Sequence, residues 1–217
     1  SGSSFLLPDP SMKLYRTLLA TALLLFAVCL PARAAVIYSG LQNIAIPTDF
    51  DGVYIDIDTG AFSTSTIAGG DINPFFGGSA IGNSAAFQPS RVGLNNDDPI
   101  VNLSYGTLVD SSLFYSTGEG GSGDPVSHLG IGSNQFQPGV EGYLGFMFTT
   151  NDSAGPYYGW MRVVLTNNVP GGLIKDWAYD NTGAPIVAPE PGRAMLLLLG
   201  MLGLFTRRQR GVTSSLA

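Results

Sequence analysis

The first residues in the sequence that could do chemistry are four aspartates within ten positions. They supply carboxylate oxygens, the ligands that Ca²⁺ prefers, and they are Asp49, Asp51, Asp56 and Asp58. Their spacing departs from the EF-hand loop, because Gly52 comes two positions too early and no glutamate follows at the twelfth position. Asp56 and Asp58 also share one face of an alternating segment, as solvated residues of a strand do. The pattern favours a solvated face or turn, with a weak Ca²⁺ site as the alternative.

A second group with binding potential is aromatic. Its members are Tyr157, Tyr158, Trp160, Trp177 and Tyr179. Exposed rings on a β-sheet can stack against sugars, and Trp160, Trp177 and Tyr158 would form such a platform. Buried aromatic rings are also the usual filling of a β-sandwich core. The sequence favours core packing, and a sugar-binding face is the alternative that the exposure of the two tryptophans would decide.

Catalytic chemistry finds little support among the remaining residues. His128 is the single histidine, and no Gly-x-Ser-x-Gly segment supplies the strained elbow on which a serine nucleophile sits. Glu119 and Glu141 are the only glutamates between residues 35 and 188, whereas a glycosidase needs two carboxyl groups about 5–9.5 Å apart. The single cysteine, Cys29, excludes an intramolecular disulfide and a cysteine-rich zinc site. We therefore predict a protein without enzymatic activity and without a cofactor.

The elements that must position these residues are predicted to be short β-strands. Apolar or alternating runs are separated by Gly, Asn, Asp and Pro, and no window of the central segment keeps the spacing of a helix. The runs cover residues 36–46, 53–58, 61–67, 100–105, 112–115, 143–149, 159–165 and 173–179. Many short strands separated by turns predict an all-β fold, an antiparallel β-sandwich or jelly-roll-like domain.

The segment 159–165 has the clearest strand pattern. Met161, Val163 and Leu165 share one face, which we expect to pack into the core. We expect them to pack into the core with Leu144, Phe146 and Phe148 opposite. Arg162 falls on the other face, where we expect a mostly exposed pair with a carboxylate that contributes about 0–1 kcal/mol.

Charge divides the chain into an acidic centre and two basic ends. The whole chain has 10 Lys and Arg and 16 Asp and Glu, which gives a net charge of −6. Residues 35–188 contain fourteen acidic residues but only three basic ones, Arg91, Arg162 and Lys175. Because phosphate binding needs a basic surface, we expect no nucleic-acid partner.

The N-terminal end has the order of a Sec signal peptide. Lys13 and Arg16 precede an apolar run over residues 18–30. As a helix this run would extend about 20 Å, which is short of the roughly 30 Å hydrocarbon core of a bilayer. Ala32 and Ala34 then place small residues at the −3 and −1 positions of a signal-peptidase site. We expect cleavage after Ala34.

The C-terminal end combines a proline motif, an apolar segment over residues 194–205 and a basic cluster, in that order. The motif is Pro189, Glu190 and Pro191, and the cluster is Arg207, Arg208 and Arg210. The two prolines prevent a helix through the motif, whereas the Leu- and Met-rich segment favours one. Such a helix spans about 18 Å, and the arginines after it favour retention on the cytoplasmic side. So short a span suits a processing signal better than a permanent anchor.

These three elements resemble the PEP-CTERM sorting signal of Gram-negative bacteria. The resemblance implies recognition by exosortase, a membrane sorting enzyme, and cleavage near the Pro189-Glu190-Pro191 motif. It also implies a transient stay in the inner membrane and export to the cell surface or to a matrix rich in exopolysaccharide. Segments 145–148 and 158–163 resemble strands of PEP-CTERM passenger domains, a likeness that carries no known activity.

The expected organisation has four parts. They are an extraneous leader or over-extended start at 1–11, a Sec signal peptide at 12–34, a β-sandwich passenger at 35–187, and a sorting signal with a short transmembrane helix at 188–211. We expect an exported, non-catalytic surface or matrix protein that meets the Sec translocon, signal peptidase, exosortase and the inner membrane, and then exopolysaccharide. A carbohydrate-binding module is the alternative function, and a secreted hydrolase is a remote one.

Overall fold

The computed structural model of the chain describes residues 36–121 and 128–189. The predicted signal peptide, the apolar segment of the sorting signal and its arginine cluster lie outside these residues. Within the described ranges, no helix is long and apolar enough to span a membrane.

The regular secondary structure of the described residues consists of fourteen strands and one short 3-10 segment. The strands are β1 (Val36–Tyr38), β2 (Ile44–Ile46), β3 (Tyr54–Ile55), β4 (Phe62–Ser63), β5 (Ile72–Phe75), β6 (Ala80–Asn83), β7 (Phe87–Arg91), β8 (Leu108–Val109), β9 (Phe114–Tyr115), β10 (Gly120–Gly121), β11 (Glu141–Phe148), β12 (Tyr157–Val164), β13 (Gly172–Asp180) and β14 (Ile186–Val187), and the 3-10 segment is Phe76–Gly78. All pairings between these strands are antiparallel. The predicted all-β antiparallel architecture is confirmed.

The strands form two larger sheets and one small sheet. The seven-stranded sheet has the order β1-β13-β12-β11-β7-β9, and β2 also pairs with β13. The five-stranded sheet has the order β10-β6-β5-β3-β4, and β14 pairs with β8 in the small sheet. The three longest strands, β11, β12 and β13, are neighbours that follow one another along the chain. This meander is the arrangement that short connections favour.

The main core lies between the two larger sheets. The seven-stranded sheet and its flanks contribute Leu144, Phe146, Phe148, Met161, Val163 and Leu165, which are all at most 2% exposed. The five-stranded sheet contributes Ile55, Ile72 and Ile81, which are equally buried. The core-facing side predicted for residues 159–165 is therefore confirmed. Two sheets that enclose one apolar layer give the domain its sandwich-like character.

The other face of the seven-stranded sheet is also covered, by the β8–β14 pair. A second apolar cluster lies there and consists of Leu103, Val109, Tyr143, Tyr158, Trp160, Ala178, Ile186 and Ala188. Because both faces of the sheet are buried, β11 is buried at six of its eight positions. Trp160 lies on the face of β12 opposite to the main core, as the alternation of the segment 159–165 predicts. This face packs against a second apolar cluster and is not exposed to solvent.

The region between residues 71 and 91 differs from the sequence prediction. It forms β5, β6 and β7, none of which was predicted, because Pro74, Gly82 and Pro89 interrupt the strand pattern. The segment 100–105 was predicted as a strand but forms only isolated bridges, at Ile100 and Asn102.

Candidate functional site

Three carboxylates meet where the turn after β3 approaches the start of β5. Oxygens of Asp56, Asp58 and Asp71 all lie within 4.8 Å of one another, and we call these residues the acidic cluster. Asp71 was missed by sequence reasoning because it lies thirteen positions beyond Asp58 in the chain. The pairing of Ile55 with Ile72 brings it close, since each isoleucine is the chain neighbour of one cluster member.

The other two predicted calcium ligands do not join the acidic cluster. The N–H of Gly52 donates a hydrogen bond to Oδ1 of Asp49 at 3.1 Å, and this bond closes a local turn. Asp51 is exposed. The structure therefore keeps Asp56 and Asp58 of the predicted set together and supplies Asp71 as their third partner.

Asn151, in the loop after β11, binds the acidic cluster from the seven-stranded sheet. Its Nδ2 donates to Asp56 Oδ2 at 3.0 Å and to Asp58 Oδ1 at 3.1 Å. Its backbone N–H donates to Asp58 Oδ2 at 3.0 Å. The N–H of Ile57 donates to Asp71 Oδ2 at 2.8 Å. These bonds tie a turn of one sheet to a loop of the other, and nothing in the sequence pattern indicates Asn151 as the residue that does so.

The acidic cluster concentrates negative charge, and among the described residues no lysine or arginine forms an ion pair with it. Burial raises the pKa of Asp71 to about 7; the N–H of Ile57 opposes this rise, and the charges of Asp56 and Asp58 add to it. Near neutral pH the cluster therefore exchanges one proton. When that proton is lost, three carboxylates remain, which is a donor set of the kind that hard cations accept.

We expect the Asp71 contribution to stability to fall as the pH rises from about 4 to about 7. The folded-state pKa of about 7 lies above the ordinary value of 3.8, so the folded state binds more protons than the unfolded state in that range. This contribution is complete below the unfolded pKa and is lost as the pH passes the folded pKa, by up to about 4 kcal/mol. Asp71→Asn should abolish it, because an uncharged amide can still accept the Ile57 N–H.

Urea unfolding of the full chain and of the Asp71→Asn variant between pH 4 and pH 8 measures this effect. The free-energy difference between the two proteins should change with pH in favour of the variant as the pH rises. Asp51→Asn is the matched control, because Asp51 is exposed and lies outside the acidic cluster. A pH-independent difference for Asp71→Asn would contradict the expected titration.

The aromatic residues predicted as an alternative sugar platform are buried. Trp160 and Tyr158 are each 9% exposed and Trp177 is 2% exposed. Trp160 and Tyr158 pack under the β8–β14 pair, whereas Trp177 lies in the main core and donates its Nε1–H to the carbonyl of Ile57 at 3.1 Å. Rings covered on opposite faces of one sheet share no exposed surface. The structure therefore confirms core packing and provides no platform at these three residues.

A cleft of about 390 Å³ separates the acidic cluster from a second aromatic pair. Tyr157 and Tyr179 stack with their ring centroids 6.3 Å apart and their planes 23° from parallel. Opposite them, Asp58 and Asn151 already bond to each other. Tyr179 is only 7% exposed. The side chains of Asp58 and Asn151 are thus used within the protein, and the cleft offers little aromatic surface.

Arg162 lies in an ion-pair network on β12 and β13. Its Nε–H donates to Asp176 Oδ1 at 2.9 Å, and its Nη2 donates to the other oxygen. The hydroxyl of Tyr38 donates to Asp176 Oδ2 at 2.7 Å. The Asp176 side chain is 1% exposed and that of Arg162 is 26% exposed. The expectation of a mostly exposed pair was therefore wrong for the acidic partner, because β1 and Tyr38 cover it.

The residues considered for catalysis lie apart. His128 is fully buried, with its Nε2 2.9 Å from the carbonyl oxygen of Gly78 and its ring edge-on to Phe136. Glu141 pairs with Arg162 and Lys175, and its cleft is not the one that Glu119 lines. The structure does not bring His128, Glu119 and Glu141 into one site.

The residue directly before the predicted sorting motif is part of the folded domain. Ala188 is fully buried, its N–H donates to the carbonyl of Thr107 at 3.0 Å, and its own carbonyl accepts the N–H of Gly106 at 3.0 Å. Pro189 follows and is half-buried. The remaining predicted sorting and cleavage residues, which are Ala32, Ala34, Glu190, Pro191, Arg207, Arg208 and Arg210, lie outside the described residues.

No protein-family model matches this chain, and neither curated proteins nor solved structures give a significant match. The likeness to PEP-CTERM proteins accordingly rests on the motifs quoted from the sequence.

Proposed function

We propose that the chain is an exported, non-catalytic surface or matrix protein that is sorted and released by exosortase. The observation that carries this proposal is the fit between the folded domain and the two terminal signals. Among the described residues, β1 starts two residues after the expected cleavage at Ala34, and its Val36 pairs with Asp180. At the other end of the described range, the backbone of Ala188, directly before Pro189, bonds to Thr107 and Gly106. Both cleavages would therefore leave these backbone bonds of the described residues intact.

The acidic surface fits a soluble exterior in a secreted setting, because net charge away from zero keeps proteins apart in solution. The route includes the Sec translocon, signal peptidase, a transient inner-membrane stage and exosortase, and it ends at the cell surface or in exopolysaccharide. A signal helix, a short transmembrane helix and a jelly-roll-like arrangement of the passenger are parts of the same proposal.

We expect two cleavages when the full chain is produced in a Gram-negative host that contains exosortase. Intact-mass analysis should find a released protein that begins at Ala35 and ends close to the Pro189-Glu190-Pro191 motif. In the same host without exosortase, the chain should remain in the inner membrane and retain residues 194–205. Released protein of equal mass in both hosts, or a stable membrane species with residues 194–205 in the first host, would overturn the sorting proposal.

A pair of proline substitutions makes the test specific for the motif. Pro191→Ala should prevent release, since it removes a motif residue that the resemblance assigns to recognition. Pro185→Ala is the control, because Pro185 is exposed and lies six residues earlier in the same C-terminal stretch. Equal release of the two variants would show that the motif is not what exosortase recognises.

A further inference from the structure

The outer face of the five-stranded sheet contains a groove of about 430 Å³. We call it the sheet groove, and its principal lining residues are Tyr54, Asn73, Gly82, Ser84, Glu119 and Gly120. In the ladder, Gly82 pairs with Asn73 on one side and with Gly121 on the other. Gly82 and Gly120 both line the groove and contribute no side chain to it, and this missing volume makes the surface concave.

The groove is the outward side of a sheet whose inward side is fully packed. Ile72 and Ile81 are at most 2% exposed and belong to the main core. Asn73 and Gly82, their chain neighbours, point the other way and are half-buried.

Two polar atoms on the groove wall lack partners. Asn73 Oδ1 and Ser84 Oγ are buried, and neither has a hydrogen bond among the described residues. Buried polar groups are nearly always paired, so two unpaired atoms on residues that line one concavity indicate groups that a ligand can satisfy once the side chains turn. The torsion that orients a serine hydroxyl or an asparagine amide is soft, so both groups can turn towards a ligand in the groove.

Charge restricts the class of ligand. Asp71 and Glu119 line the groove, and none of the described residues that line it is basic. Polyanionic ligands would be repelled, whereas ligands rich in uncharged hydroxyl groups can donate to these carboxylates and to Asn73. The half-buried ring of Tyr54 supplies an apolar surface at the same place.

From these observations we infer that the sheet groove is a binding site for a neutral oligosaccharide. The C–H face of a sugar ring lies against Tyr54, and its hydroxyl groups bond to Asn73, Ser84 and Glu119. The glycine floor at Gly82 admits the ring. Saccharide binding by the folded domain neither requires nor follows from export of the chain, so failure of either proposal leaves the other standing.

Binding is measured on the full chain, held in a zwitterionic detergent that has no sugar headgroup. The probes are neutral hexasaccharides of glucose, mannose and galactose, with hexagalacturonate as the anionic comparison. We expect at least one neutral probe to bind with a dissociation constant below about 1 mM, and hexagalacturonate to bind at least about tenfold more weakly. No binding of any neutral probe, or equal binding of the anionic probe, would overturn the inference.

The Gly82→Leu variant tests whether the saccharide binds in the sheet groove. Its backbone lies outside the left-handed region, and a Cβ there would approach no atom closer than 3.7 Å, so the side chain fills the floor without strain. We expect binding to weaken by about tenfold or more. Ala45→Leu, on the exposed side of β2 in the other sheet, is the matched control and should bind as the parent does.

A second variant and the amide resonance shifts of the unmodified chain test the site even if Gly82→Leu does not fold. Asn73→Ala removes one unpaired group and should weaken binding several-fold with an unchanged melting temperature. In the unmodified chain, the amide resonances of Gly82 and Gly120 should shift on addition of the bound neutral probe. Resonance shifts confined to other surfaces, or undiminished binding by a folded Gly82→Leu or Asn73→Ala variant, would overturn the site.

Discussion

Val163→Asp is expected to prevent folding of the domain. Val163 is 2% exposed and lies in the main core on the same face as Met161 and Leu165. Aspartate at this position would bury an unpaired charge, or would hold a proton at the expense of stability, and would also remove apolar contacts. The loss should exceed about 4 kcal/mol, which is a large part of the total stability of an ordinary domain. Thermal unfolding of the full chain by circular dichroism measures it.

Val169→Asp is the matched control for this substitution. Val169 is 76% exposed in the loop between β12 and β13, so the same chemical change leaves the new carboxylate in water. Its melting temperature should differ from that of the parent by no more than a few degrees, because surface substitutions usually change stability by less than about 0.5 kcal/mol. A Val163→Asp protein that melts as the control does would place Val163 on the solvent side of its strand.

The sequence pattern predicted the strands β11, β12 and β13 and the core-facing side of β12 well, for a physical reason. Val163 and Phe146 lie in strands of eight residues each. Strands of this length repeat the two-residue alternation several times, so the pattern is visible in the sequence. A one-residue shift would move the whole core-facing set to the other face of the sheet, so the pattern constrains the register.

The region of β5 to β7 could not be predicted in the same way. β7 is buried at all five positions, yet it contains Gln88, Pro89, Ser90 and Arg91. Two of its polar side chains bond to partners far along the chain or on a neighbouring strand: Ser116 donates to Gln88 Oε1 at 2.7 Å, and Arg91 donates to Asn83 Oδ1 at 2.9 Å. Such long-range partners replace the hydrophobic pattern that sequence reasoning needs.

The candidate sites could also be predicted only in part from the sequence. Asp56 and Asp58 could be grouped from their spacing, but Asp71 and Asn151 join them only through the sheet pairing and the packing of one sheet on the other. The sheet groove depends on Gly82, which no sequence-based prediction singled out. Its structural role follows from the strand pairing, in which Gly121 lies opposite it.

Arg162→Ala is expected to cost much more than the loss of a surface ion pair. Removal of the guanidinium group leaves the carboxylate of Asp176, which is 1% exposed, with the hydroxyl of Tyr38 as its remaining side-chain donor. Breaking a buried pair from one side typically costs about 3–5 kcal/mol. We expect a loss near about 3 kcal/mol, because Arg162 is 26% exposed and water can enter where it stood. The melting temperature should fall by roughly 6–12 °C.

Two further variants separate the buried charge from the lost contacts of the arginine side chain. Lys175→Ala removes the other cation bonded to Glu141, in a pair whose side chains are 29% and 28% exposed, and should cost about 0–1 kcal/mol. Adding Asp176→Asn to Arg162→Ala removes the uncompensated charge and keeps an acceptor for Tyr38, so the double variant should be more stable than Arg162→Ala alone. If Arg162→Ala costs no more than Lys175→Ala, or if Asp176→Asn destabilises it further, then the carboxylate of Asp176 is solvated and the cover provided by β1 and Tyr38 does not persist in solution.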